Sequence, residues 1–289
     1  MPPERVADLC VRGAHVFYRG ELSEACIAIS DGRIVFIGRE AHAPRAEEIF
    51  DARGLLALPG PIDVHVHLRD EGLAYKEDFY TGTCAAVAGG ITSVLDMPNN
   101  RPPVDSARRL AERAEKARSA IVANVGFYSL FPGDLGELSE LAEAGAVAIK
   151  VYLHEPKTKL DLSEEGILPL AVRLANSFGL PVAFHAEDPS VIEEMRGMLD
   201  PGLDPVSYFV LSHPPEAEIK AVSRLAEELE GLRVHLCHLS TPEAVRTAKA
   251  AGFTIEATPH HLFLSSELYA RLGPLALMDP PLRPRELVE

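Results

Sequence analysis

The chain has 289 residues, 47% of them hydrophobic, which suffices for one large domain with a small appendage and a substantial core. Its formal net charge of −15 argues against a nucleic acid partner, though not against a small anionic substrate, because local charge can oppose the global sign. No apolar run approaches the roughly 20 residues of a membrane helix, the N-terminus carries no apolar signal segment, and Cys10, Cys26, Cys84 and Cys237 are too scattered for a zinc knuckle or a disulfide framework, so a cytoplasmic protein without membrane contact is expected.

Residues 5–57 read as short strands with tight turns. Ala14–Tyr18, Cys26–Ser30 and Arg33–Ile37 carry the pattern, and Asp31-Gly32 is a hairpin turn. Leu58-Pro59-Gly60-Pro61 then breaks the chain. From Ile62 onward, short apolar runs alternate with segments of helical spacing. The strand candidates are Ile62–Leu68, Thr92–Asp96, Ala120–Phe127, Val147–Leu153, Val182–His185, Arg233–His238 and Thr254–Ala257. Helical spacing marks Ser106–Ser119, Gly166–Phe178, Pro215–Leu229 and Pro242–Ala250. Nearly all-apolar strands fit a parallel sheet buried on both faces. Two domains follow: residues 1–58 as a β-sandwich portion and residues 59–289 as a parallel α/β barrel.

A barrel is preferred to an open sheet because of where the polar residues fall. His65, His67, Asn99, Lys150, His185 and His238 all lie in or just after the C-terminal ends of strands, where barrel enzymes build their sites. An open sheet often carries a glycine-rich phosphate loop, and the sequence has none.

Side chains alternate along a strand, so His65 and His67 project to one side and can grip one metal ion. His185 and His238 are single histidines that would bring the count at one barrel end to four. His235 is expected on the opposite side of its strand from His238. His15, His42, His154 and His213 have no such context and read as surface or local structure. Lys150 lies inside the apolar run Ala148-Ile149-Lys150-Val151-Tyr152, and a buried, unpaired ammonium is costly. Either its stem snorkels to the surface, or its amine reacts with carbon dioxide to give an anionic carbamate able to bridge two cations.

Taken together these residues resemble the amidohydrolase superfamily, and within its cyclic-amidohydrolase group they are most similar to the dihydroorotases. The matching segments are His-Val-His-Leu-Arg-Asp (65–70), Asp-Met-Pro-Asn-Asn (96–100), the Lys150 strand, Phe-His-Ala-Glu-Asp (184–188), Cys-His-Leu-Ser (237–240), Thr-Pro-His-His-Leu (258–262) and Pro-Pro-Leu-Arg (280–283). They run in the family's order from about residue 59 to the end. The resemblance implies a TIM-like (β/α)8 barrel beside a β-sandwich. It implies two divalent ions, zinc by preference. His65 and His67 would hold the first, His185 and His238 the second, and carboxylated Lys150 would bridge them. The reaction implied is the reversible cyclisation of N-carbamoyl-L-aspartate to dihydroorotate in pyrimidine biosynthesis, by a homo-oligomer. Arg69 would take the substrate carboxylate bidentately, and Asn99 would be a second substrate contact. His260 and His261 are expected to fix loops and not to be ligands.

Two departures from the family pattern shape further expectations. Asp279 stands where dihydroorotases commonly have an asparagine, and an aspartate there would repel a negatively charged substrate. The family's eighth strand supplies an aspartate that ligates the first metal and shuttles the proton, and no such residue is found before Glu289. The barrel is therefore expected to be incomplete at its C-terminus, with no catalytic acid–base identified and with a poor catalyst in the 289-residue form. Two other functions stay open: an allantoinase- or hydantoinase-like enzyme on another cyclic amide, and an inactive homologue serving as a structural partner of aspartate transcarbamoylase.

Overall fold

The computed structural model describes residues 6–155 and 157–288. The chain divides after Pro61 into two compact units.

The first unit is a five-stranded sheet built from β1 (Ala7–Tyr18), β2 (Glu21–Ser30), β3 (Arg33–Gly38), β4 (Ala46–Asp51) and β5 (Leu56–Ala57). The order is β3-β2-β1-β4, with β5 pairing the far end of β1. Hairpins join β1 to β2 and β2 to β3. Asp31 and Gly32 both take positive φ, 51° and 68°, as a two-residue hairpin turn requires. The Asp31 N–H donates to Asp8 Oδ2 at 2.7 Å, which ties that turn to β1. Ala14, Val16 and Ala52 form the small apolar centre of this unit.

The second unit holds seven parallel strands in sequence order: β6 (Ile62–Val66), β7 (Ser93–Asp96), β8 (Asn124–Ser129), β9 (Ala148–Tyr152), β10 (Val182–His185), β11 (Val234–Leu236) and β12 (Thr254–Ile255). They form an incomplete (β/α)8-type barrel: among the described residues β6 pairs with β7, β12 pairs with β11, and the two edges do not pair with each other. The connecting helices include α1 (Phe79–Ala88), α2 (Ala107–Arg118), α3 (Leu138–Glu143), α4 (Ile167–Ser177), α5 (Pro189–Met198), α6 (Pro205–Ser212), α7 (Pro215–Glu228), α8 (Pro242–Ala250) and α9 (Pro259–Phe263). Their starts follow capping rules: Asp78 accepts from the Thr81 N–H, Ser106 from Arg109, Asp188 from Ser190 and Val191, and Thr241 from Ala244. No described helix is long and apolar enough to cross a membrane.

Strand alternation sorts the core into two layers. Ile149, Val151, Val182, Phe184, Val234 and Leu236 pack outward with Leu110, Val172, Leu225 and Ala248 of the helices. Ala148, Ala183 and Cys237 point the other way, with Met97 and Tyr128. Lys150 lies between Ala148 and Tyr152 in this second set and pairs in register with Ala183. The alternation therefore sends the lysine inward, and it is 1% exposed.

Candidate active site

Strand β6 carries His65, His67 follows directly after its end, and the loop beyond is fixed by a buried network. Arg69, Asp70 and Glu71 take φ of 55°, 53° and 50°, a left-handed run that non-glycine residues adopt only under constraint. The constraints are visible. Asp96 Oδ1 accepts the Leu68 N–H at 2.8 Å. Arg113 donates to Asp96 Oδ2 and, at 3.1 Å, to the Arg69 carbonyl. The Asp70 N–H donates to the Glu77 carbonyl, and the Gly72 N–H to that of Arg101.

Each histidine of the pair has one ring nitrogen committed. His67 Nδ1–H donates to Asn99 Oδ1 at 2.8 Å. His65 Nδ1–H donates to Glu256 Oε1. Both acceptors fix the tautomer and leave Nε2 with its lone pair. Burial, then the neighbouring His65, holds the His67 imidazole well below its ordinary value. Burial also lowers His65, against the pull of Glu256. Burial works to raise the Glu256 carboxyl, but hydrogen bonds from His235 and His65 hold it well below the usual carboxylate range. Neutral imidazoles backed by hydrogen-bonded oxygens are the form in which histidine ligates metal.

His185 and His238 face each other, His185 Nδ1 standing 3.1 Å from His238 Nε2. The ring centroids of His65 and His67 are 5.4 Å apart, of His65 and His238 5.2 Å, and of His185 and His238 4.6 Å. The four imidazoles therefore form one cluster. Burial depresses His238 strongly and takes His185 down to about 3. His185 Nε2–H donates to Glu187 Oε2 at 2.7 Å. Lys150 lies beside the cluster, because Cys237 Sγ, which its Nζ meets, stands within 4.8 Å of a His65 ring nitrogen. Its Nζ donates to Cys237 Sγ at 2.8 Å and lies 5.1 Å from the Tyr152 ring centre.

A cavity of about 720 Å³ opens onto this cluster. It is lined by His65, His67, Arg69, Asn99, Tyr152, His185, His238, Glu256, His260 and Asp279, among others. Arg69 has no ion pair among the described residues, which leaves a guanidinium at the wall of the cavity.

The donor set fits divalent cations of the zinc type. Two nitrogens bound to one tetrahedral zinc at 2.0–2.1 Å lie about 3.3 Å apart, close to the separation of His185 Nδ1 and His238 Nε2. His65 and His67 offer two more neutral nitrogens, each oriented from behind. Two further groups of potential ligands adjoin the cluster: His65, Cys237 and Glu256, and His154, His185, Glu187 and Asp279.

Of the residues singled out in the sequence, His65, His67, Lys150, His185, His238, Arg69 and Asn99 all lie in or beside this cavity. Asn99 is also occupied in a way the sequence did not suggest, since its oxygen orients His67. His261 is buried, its Nε2–H donating to the Pro280 carbonyl and its Nδ1 accepting from Thr258, so it fixes one loop to another. His260 lines the cavity itself.

Two expectations need correction, and one residue was missed. His154 is no surface residue: its ring packs against His185 with centroids 4.4 Å apart, and burial lowers its pKa to about 3. His213, by contrast, is a local-structure residue, buried and stacked on Phe209 four positions before it. His235 points inward, where its Nε2–H donates to Glu256 Oε2 at 3.1 Å. The φ of 37° at His238 takes that residue out of the strand alternation on which the opposite expectation rested. Glu256, passed over in the sequence, accepts from His65, His235 and the His238 N–H. The one available signal was a carboxylate directly after an apolar strand.

A sequence profile of the amidohydrolase family matches residues 56–271. The chain is 35% identical to a dihydroorotase of Methanosarcina mazei over 96% of its own length and 63% of that protein's. It is equally 35% identical to an allantoinase of Solibacter usitatus, over 97% of the chain and 64% of the relative. Among solved structures, the L-hydantoinase (dihydropyrimidinase) from Arthrobacter aurescens superposes with a TM-score of 0.90 at 25% identity, covering 98% of this chain and 65% of that one. The chain thus spans a little under two thirds of the length of these relatives.

Proposed function

The chain belongs to the amidohydrolase family, and from that premise we propose that it opens and closes the C–N bond of a cyclic amide, with dihydroorotate and N-carbamoyl-L-aspartate as its substrate pair. The observation that carries the substrate is Arg69, a guanidinium without an ion pair among the described residues, in the wall of the same cavity that the imidazole cluster lines. A carboxylated ring is held there by a charge-assisted, bidentate hydrogen bond. The dihydroorotase of Methanosarcina mazei and its likeness over 96% of this chain support the same choice.

Under this reading His65 and His67 hold one divalent cation, and His185 and His238 hold another. Bound cations of this kind supply Lewis acidity to the scissile carbonyl and make water nucleophilic near neutral pH. The remaining work falls to the chain. Asn99 and Glu256 keep Nε2 of His67 and His65 directed away from their own hydrogen bonds. Lys150 supplies the missing negative charge: its neutral amine adds to the carbon of carbon dioxide and loses a proton, giving a carbamate with two oxygens. The position of Lys150 supports this, because the residue is 1% exposed and its Nζ meets Cys237 Sγ with no carboxylate paired to it among the described residues, so an ammonium there is costly and a carbamate facing bound cations is not. Arg69 orients the ring, and burial of the cluster limits competing water. The pyrimidine pathway and a homo-oligomeric state are proposed on the dihydroorotase likeness, and contact with aspartate transcarbamoylase belongs to the alternative of an inactive homologue.

Asp279 favours a second reading, a ring amide without a carboxylate such as allantoin, because its half-exposed side chain lines the same cavity. The experiment that separates them is hydrolysis by the zinc-loaded protein of dihydroorotate, allantoin and dihydrouracil in parallel. Preference for dihydroorotate supports the first reading. Preference for allantoin replaces it with the second, and preference for dihydrouracil over both removes the two together.

A further inference from the structure

Cys237 follows β11 directly, and its N–H donates to the Phe184 carbonyl at 2.9 Å, which continues the pairing with β10. Its side chain packs in the inner layer with Ala148 and Ala183 and is buried. An inward cysteine among alanines would ordinarily be small apolar packing. Here its sulfur stands 2.8 Å from Lys150 Nζ. Among the described residues Nζ makes no other hydrogen bond and no ion pair, and its further neighbour is the Tyr152 ring, 5.1 Å away at the centre. The inner-layer neighbours Ala148 and Ala183 carry no side-chain acceptor.

We infer that Cys237 is a positioning residue for the carbamate of Lys150: its sulfur accepts the one hydrogen left on the carbamate nitrogen and so sets the plane in which the two oxygens lie. The inference rests on the carbamate reading and deepens it. Carboxylation joins the neutral amine nitrogen to the carbon of carbon dioxide, and one N–H bond breaks, its proton going to solvent. A single N–H remains. Resonance makes the C–N unit flat, as in a peptide. The lysine stem, the N–H and the carboxyl group then keep fixed directions around the nitrogen, so an acceptor that holds the N–H also fixes the carboxyl group. An amine has no such requirement, because it turns about its last bond. A buried N–H without an acceptor is costly. Sulfur is a weak acceptor, but the backbone bond to Phe184 already holds Cys237 in place, so little freedom is lost in making the contact. The same sulfur stands within 4.8 Å of a His65 ring nitrogen, so the plane is set at the edge of the imidazole cluster.

The test reads the carbamate itself. Wild type, Cys237→Ala and Cys237→Ser are loaded with zinc and titrated with isotope-labelled bicarbonate, and the carbamate carbon is followed by NMR, with circular dichroism and zinc content measured on the same samples. The bicarbonate concentration at half occupancy should rise about tenfold in Cys237→Ala, the order expected for a buried N–H that loses its acceptor. Cys237→Ser, which restores an acceptor, should recover most of that loss. In wild type carrying nitrogen-labelled lysine, the carbamate N–H should appear as one slowly exchanging hydrogen. Equal half-occupancy in wild type and Cys237→Ala overturns the inference while leaving the carbamate reading standing. So does a serine variant no better than alanine, the result that packing alone would give. Rapid exchange of the wild-type N–H overturns it even where the alanine variant fails to fold. A sulfur-to-metal charge-transfer band in the cobalt-loaded wild type would make Cys237 a ligand and overturn it as well. If wild type shows no carbamate carbon, the carbamate reading falls and takes this inference with it.

Discussion

Asp96 and Arg113 form a fully buried ion pair in which two guanidinium nitrogens, at 2.8 and 2.6 Å, share one carboxylate oxygen while the other oxygen takes the Leu68 N–H. Through this pair α2 grips the loop that follows His67, and the same guanidinium also donates to the Arg69 carbonyl. The pair stabilises the left-handed run at residues 69–71, and so the direction in which Arg69 leaves the strand.

Arg113→Met is expected to leave Asp96 buried and uncompensated. Removing one partner of such a pair costs about 3–5 kcal/mol. Urea unfolding followed by circular dichroism should show a midpoint lowered accordingly, and an Asp96→Asn, Arg113→Met double variant should recover part of the loss. A midpoint within error of wild type would show that the loop is held by its other bonds.

Metal content tests the imidazole cluster. Wild type purified with zinc should carry more metal than a His65→Ala, His67→Ala double variant, measured by atomic emission on dialysed samples. Equal content in the two would remove that pair from the site.

Glu256→Gln keeps the shape but weakens the acceptor behind His65 and His235. Partners of this kind typically change metal affinity about 10–100-fold, and a competition titration against a chromophoric chelator should show a loss of that size. Retained affinity would mean that His65 needs no such support.

For Arg69 the contrast between substrates matters more than the absolute rate. Arg69→Met should reduce kcat/KM for dihydroorotate far more than for an uncharged cyclic amide. A hydrogen bond to a charged group contributes about 1.5–3 kcal/mol, or roughly ten- to a hundredfold. Equal losses would make the arginine structural.

Asp188 gives a pH-dependent stability test away from the cluster. Burial works to raise its carboxyl, but hydrogen bonds from Ser190, Lys220 and the Val191 N–H lower it below the ordinary value of 3.8. A depressed folded-state pKa contributes stability that is complete above the unfolded value and is lost as pH falls through the folded one. Asp188→Ala should therefore cost about 1 kcal/mol at pH 7 as a lost helix cap, and the gap to wild type should close below about pH 4. A gap independent of pH would assign the effect to packing alone.

The alternation of strands and helices was legible in the sequence because it is local: period two and period 3.6 show within a dozen residues. Val182–His185 and Pro242–Ala250 appear with the boundaries that their patterns suggested. His65, His67, Lys150, His185 and His238 could be named for a related reason, since a polar side chain at the end of an apolar strand has no local use. Tertiary structure alone decided the residues that hold them. His65 meets Glu256 across 191 positions and Lys150 meets Cys237 across 87. Such pairs depend on strand register and on the path of each loop, which no local period encodes. The same holds for His154, which follows its strand by two residues and reads as a loop position until the fold lays it on His185. Arg113 shows the limit most plainly: on α2 it reads as one more charge of a solvated face, yet the loop after β6 covers it completely, because only there does its charge find the Asp96 carboxylate.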